Sequence, residues 1–242
     1  MDEAGKRGSP SEADGQAERT RIERVYHTYS TDPYYRKIWS DDVAHFILKR
    51  KWEEIVRVIQ EERVDVATAR LLDLGAGSGG DCQRFRHIGF HPQRIVAIDL
   101  LREPVLRTKQ SLGWLSVLQA DGARLPFRNA AFDVVCQSTV LSSVLDRRHR
   151  ASILLEVRRV MTPGGLFLTY DTRYPNPWNR NTSPVTVAEL QRAFTGWRVS
   201  ARTMTPIPQL ARLVGPLSTV ACRIIEKIPA FRSHLLAVVR ES

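Results

Sequence analysis

The chain has 242 residues, 43% of them apolar and 26% charged, with a net charge of +10. That length supports one domain with a full core plus a short appendage. No apolar run reaches the roughly 18 residues a membrane span needs; no hydrophobic leader core is visible, and three scattered cysteines (Cys82, Cys136, Cys222) argue against a disulfide framework or a metal site. The expected location is cytoplasmic. The basic charge invites an anionic partner, but the arginines are spread from Arg19 to Arg240, with short clusters only at 49–51 and 147–150. No aromatic-basic RNA-binding pattern accompanies them, so nucleic acid is not the expected partner.

Residues 1–20 hold almost nothing apolar and are expected to be a disordered tail. Residues 21–68 are expected to form a helical cap. Within it, 26–39 is aromatic-rich and reads as irregular, whereas 41–62 places Val43, Phe46, Ile47, Trp52, Ile55, Val56 and Ile59 at helical spacing, with Asp41 and Asp42 suiting the first turn. From residue 69 to 242 one α/β domain is expected. Strands fall near 70–75, 94–99, 114–120, 132–138 and 165–171, with helices at 81–87, 103–112 and 146–161 between them. That alternation means a parallel sheet covered on both faces. After a Pro/Asn-rich loop, Thr186-Val-Ala-Glu189 is a capping box opening a helix that ends at Gly196. The last strands, 197–205 and 234–240, flank an apolar helical insert at about 206–231.

The candidate site starts in Leu71-Leu-Asp73-Leu-Gly75-Ala-Gly77-Ser-Gly79-Gly80. A strand, a tight glycine turn and a helix wrap backbone N–H groups around a nucleotide-like ligand. Gly75, Gly77 and Gly80 would also fit a dinucleotide loop; Asp73, at the strand end, suits a cationic ligand tail better than a pyrophosphate. Asp99 ends the second strand, where a carboxylate can accept from both ribose hydroxyls. Asp121 closes the third, in Gln119-Ala-Asp-Gly-Ala-Arg-Leu-Pro-Phe127, and Pro163-Gly164-Gly165 turns a helix into the fifth.

Taken in this order, residues 71–171 resemble the class I S-adenosylmethionine-dependent methyltransferases. The resemblance implies a Rossmann-like seven-stranded sheet of order 3-2-1-4-5-7-6 and S-adenosyl-L-methionine as cofactor. It implies that Asp73 sits near the methionine amino group, that Gly75, Gly77 and Gly79 let the loop pass close by, and that Asp99, with Leu100 beside it, holds the ribose. Asp121 and Gly122 would face the adenine, and Gln137 would pass under the methionine.

The Asn/Asp-Pro-Pro-Tyr/Phe clamp of nucleic-acid amino methylation is missing after the fourth strand, where Gln137-Ser-Thr-Val stands. Asp32-Pro-Tyr-Tyr resembles that clamp but precedes the glycine loop. Asp171, at the end of the fifth strand, is the candidate base, with Arg173 beside it; the alternative is that Asp171 caps the turn. His149 and His27 are lesser candidates, and His45, His87, His91 and His234 read as surface or packing residues. The run from Asp171-Thr-Arg-Tyr-Pro-Asn-Pro177 onward is similar to bacterial methyltransferases of surface-polysaccharide and glycoconjugate assembly, which implies O-methylation of a hydroxyl on a small molecule or on a free or lipid-linked glycan. An RNA or protein methyltransferase, or a non-catalytic cofactor-binding subunit, are the alternatives. The insert, with Arg212, Arg223 and Lys227 among apolar residues, reads as packing or a homodimer face, or else as a lid touching the inner membrane face.

Overall fold

Period-2 strands and period-3.6 helices sort the apolar residues into two layers around one sheet. The computed structural model describes residues 12–177, 179–214 and 219–241. Three helices lead: α1 (Glu12–Thr31), α2 (Pro33–Ser40) and α3 (Asp42–Glu61). Then follow β1 (Leu71–Leu74), α4 (Gly80–His87), β2 (Ile95–Asp99), α5 (Arg102–Ser111), β3 (Ser116–Gln119), β4 (Phe132–Ser138), α6 (Arg147–Val160) and β5 (Met161–Thr172). The chain closes with α7 (Val187–Ala193), β6 (Trp197–Pro206), α8 (Pro208–Val214), α9 (Thr219–Lys227) and β7 (Arg232–Glu241).

The sheet order is β3-β2-β1-β4-β5-β7-β6, as the resemblance implied. β1 to β5 are parallel, and β7 runs antiparallel between β5 and β6. Residues of one parity, Leu71, Ala97, Cys136, Leu168 and Leu236, pack against α3, α4 and α5. Leu72, Ile98, Val135, Phe167 and Ala237 face the other way, onto α6, α7 and Ile22 of α1. Burying both faces makes β1 a continuous apolar run broken only by Asp73.

Two expectations need correction at the N-terminus. Residues 1–11 of the expected tail lie outside the described residues, but 12–20 are helical and 26–39 are helix rather than irregular. The cause is docking: Ile22, Tyr26 and Tyr29 recur at helical spacing, with Ile22 and Tyr29 buried. Glu18 fastens the helix by accepting from the Leu145 N–H at 2.6 Å. Asp32-Pro33-Tyr-Tyr is the start of α2; the Asp32 carboxylate accepts from the Tyr34 N–H at 2.8 Å, and Pro33 sits where its missing N–H costs nothing. Among the described residues no helix is long and apolar enough to cross a membrane.

Candidate active site

The glycine loop is shaped by what a side chain would hit. Gly75 (φ 76°) and Gly79 (φ 74°) are left-handed, and a Cβ at either would stand 2.2 Å from Val140 or 2.6 Å from Leu112. Gly77 (φ 52°) is left-handed too, but nothing lies within 4 Å of its missing Cβ. Its open side therefore faces a cleft of about 230 Å³ lined by Leu74, Gly75, Gly77, Asp99, Leu100, Asp121, Gly122 and His149.

Asp99 knits this cleft together, accepting from the Gly77 N–H at 2.8 Å and the Leu101 N–H at 2.9 Å. Burial raises its carboxyl, and the backbone donors oppose that. Each oxygen keeps a second lone pair for a ligand hydroxyl. At the far end Asp121 accepts from the Ala123 N–H at 2.8 Å and lies 3.3 Å from His149 Nε2. Burial pushes the Asp121 carboxyl up, but His149 and that N–H outweigh it and bring it below the ordinary range. The contact with Asp121 raises the imidazole. His149 is thus buried in the cleft wall rather than on the surface.

Asp73 is 2% exposed and absent from the cleft lining; its carboxylate accepts from the Cys82 thiol at 3.1 Å. Burial, then the charge of Asp81, raises its carboxyl to about 7. Asp81 in turn holds Lys51, at 2.7 Å, and the Lys51 ammonium donates to Ser138 Oγ at 3.0 Å. Gln137 is buried: its amide donates to Asp171 at 2.6 Å and to Thr169, and its carbonyl accepts from the Val140 N–H at 2.9 Å. Its side chain bolts the strand end, and the cleft is lined from Ser138 onward.

The expected catalytic pair, Asp171 and Arg173, lines neither this cleft nor the larger cavity beside it. Asp171 has no exposed surface and accepts from Gln137 and from the Ser142 N–H at 3.1 Å. Burial pushes it up to about 6, but it anchors the loop after β4 and lines neither of these two cavities. Arg173 turns away, donating to the Pro229 carbonyl at 3.1 Å and lying over the Tyr174 ring. His27 is exposed on α1.

The cavity beside the cleft is instead an aromatic pocket of about 830 Å³, lined by Tyr26, Tyr29, Tyr34, Tyr35, Tyr170 and Tyr174 with Lys51, Thr172, Arg212 and His234. Tyr26, Thr139 and Ser143 line both cavities, so the two meet there. Thr139 holds φ 58°, a strained backbone for a branched residue, secured by its N–H to the Tyr170 carbonyl at 2.7 Å.

The geometry has parallels in known proteins. The family model described as a methyltransferase domain matches residues 72–169. Over residues 72–169 the chain is therefore similar to methyltransferase domains, a match that spans less than half of it. Among relatives, a fatty-acid O-methyltransferase of Mycolicibacterium smegmatis is 35% identical over 123 residues, 49% of this chain and 43% of that one. A ubiquinone/menaquinone biosynthesis C-methyltransferase of a Shewanella strain is 26% identical over 141 residues, covering 56% and 54%. The chain thus spans about half the length of these curated relatives. An S-adenosylmethionine-dependent methyltransferase structure from Mesorhizobium loti shares the fold, with a TM-score of 0.55, 18% identity and coverage of 76% and 96%.

The cleft fits that cofactor. Of the neighbouring acids Asp73, Asp81 and Asp99, only Asp99 lines the cleft, where a cationic ligand would meet it, and the open face of Gly77 would admit close approach. Asp99 would hold the ribose and Asp121 the adenine amine. Bound there, the cofactor would supply a methyl already activated for displacement, leaving the surrounding residues to align an acceptor and exclude water.

Proposed function

We propose that the chain is an S-adenosyl-L-methionine-dependent methyltransferase acting on a hydroxyl of a small-molecule acceptor held in the aromatic pocket. One observation carries this reading: the pocket meets the cofactor cleft at Ser143, Thr139 and Tyr26, so an acceptor seated there abuts the methyl end. The sequence after β5 favours a sugar or glycan hydroxyl, a version that competes with the aromatic acceptor suited to the tyrosine-lined pocket. Calorimetry with S-adenosylhomocysteine tests the foundation. Binding is expected, and Asp99→Ala should weaken it by about 1.5–3 kcal/mol, one charged hydrogen bond. Tight NAD binding with no response to the sulfur compound would sink the reading.

We propose further that the insert contacts an anionic membrane surface. Leu213 of α8, Val220 and Ile224 of α9, and Ile228 just after α9 are 74%, 61%, 57% and 45% exposed, and Arg223 and Lys227 of α9 are exposed too. Arg212 is not part of that face, because it is paired with Asp41 at 2.7 Å. Co-sedimentation with vesicles should need acidic lipid and weaken in Arg223→Gln/Lys227→Gln. Protein left in the supernatant at low salt would return this face to packing.

A further inference from the structure

The aromatic pocket holds a set of polar groups that cofactor binding does not use. His234, on β7, stacks on the Tyr170 ring with centroids 4.7 Å apart and planes 3° from parallel. Its Nδ1 is 2.8 Å from Ser233 Oγ, which is also 3.3 Å from the Thr205 and Pro206 carbonyl oxygens. The serine has one hydroxyl hydrogen. Given to the imidazole, it would leave the oxygen's lone pairs against two carbonyls. Given to a carbonyl, it lets Nδ1–H donate to Oγ, and every group is satisfied. Nε2 then carries the lone pair.

Nε2 has no hydrogen-bond partner among the described residues. Thr172 Oγ1 is the only buried side-chain polar atom among them that lacks one, so Nε2 is open to the pocket that His234 lines. Thr172 lies directly across from His234 in the β5–β7 pair and lines the same pocket. Lys51 approaches the same Tyr170 ring, with its ammonium 5.7 Å from the ring centre. No aspartate or glutamate lines the pocket.

We propose that the acceptor is a phenol, its O–H donating to His234 Nε2, its oxygen facing the Lys51 ammonium, and its ring lying among the tyrosines. This rests on the methyltransferase reading above. In the step, the phenolic oxygen bonds to the sulfonium methyl carbon, the carbon–sulfur electron pair stays on sulfur, and the phenolic proton passes to Nε2. Burial, with the Lys51 charge, lowers His234 to about 4, so the imidazole is neutral at physiological pH but a weak base. Taking a phenol proton, pKa about 10, then runs uphill by roughly 6 units. An aliphatic hydroxyl, near the roughly 15.7 of water, would cost about 12 units. An ammonium-bearing acceptor finds no acid in the lining, and a carboxylate offers no proton to a lone pair.

The test uses the full chain with labelled S-adenosylmethionine and five probes: 4-nonylphenol, 1-nonanol, nonanoate, nonylamine and methyl glucoside. Nonylphenol should be methylated at least tenfold faster than any other. His234→Asn should lower that rate by about 10²–10⁴. The same variant should act far more gently on 4-nitrophenol assayed at mildly alkaline pH, where that phenol is largely ionised and needs no base. Preferred transfer to nonanol, glucoside, nonanoate or nonylamine would overturn the phenol inference and leave methyl transfer standing. Equal losses on both phenols would reduce His234 to a packing role. Failure to bind S-adenosylhomocysteine would instead remove the underlying reading.

Discussion

At the scale of single residues, Asp99 and Asp121, which line the cleft, are legible because each stands at or just past a strand end in an ordered series of motifs. Asp171 also ends a strand, and the sequence does not show which groups close over it. The structure gives it two backbone-anchoring partners, so Asp171→Asn should cost stability, by about 1–3 kcal/mol, since one of its facing donors would meet an amide N–H. Chemical denaturation of variant and parent measures this. An unchanged midpoint with turnover lowered by about 10²–10⁴ would restore Asp171 as the base. Lys51 was missed although it carried a signal. It lies four residues from both Ile47 and Ile55, a charge on the apolar stripe of α3, where it is 5% exposed. His234 shares parity with Leu236 and Val238, which face the same core, and that alternation was its signal.

At the scale of elements, β1 to β7 stand within a few residues of their expected positions, because alternating strand and helix periods punctuated by glycine and proline are strong local signals. α1 was obscured because its mean composition is polar and its short apolar stripe has meaning only against the cleft it covers. The glycine turn gives a graded test. Gly75→Ala combines a left-handed φ with a Cβ 2.2 Å from Val140 and should lose S-adenosylhomocysteine binding together with stability. Gly77→Ala meets no neighbour, so its strain alone should cost about 1–2 kcal/mol of stability. Melting and calorimetry on the two variants separate these effects; equal stability losses would contradict the packing around Gly75.

At the scale of the whole molecule, buried acids set how stability follows pH. Asp73 has its folded value raised to about 7, against about 3.9 unfolded, so the native state binds more protons across that window. Its contribution to stability therefore falls as pH rises from about 4 through 7. His234, lowered to about 4, works the other way below about 6.5, and His149, raised, adds loss above it. A variant isolates the acid. In the cofactor-free protein, the stability advantage of Asp73→Asn over the parent should grow between pH 5 and pH 8, read as denaturation midpoints. A constant difference would mean that Asp73 is ionised throughout.

The cleft, at about 230 Å³, is smaller than the roughly 300–1,000 Å³ usual for small-molecule sites. Ile22 and Tyr26 of α1 roof it, and Tyr26, bonded to Ser143 at 3.1 Å, is at once a wall of the aromatic pocket. One helix thus closes one chamber and completes the other. A ligand as large as the cofactor would need α1 to lift on entry, and an acceptor would find its full wall only with α1 seated. Turnover should therefore follow a compulsory sequence, with the methyl donor first on, the methylated product first off, and the demethylated sulfur compound waiting for the helix to lift.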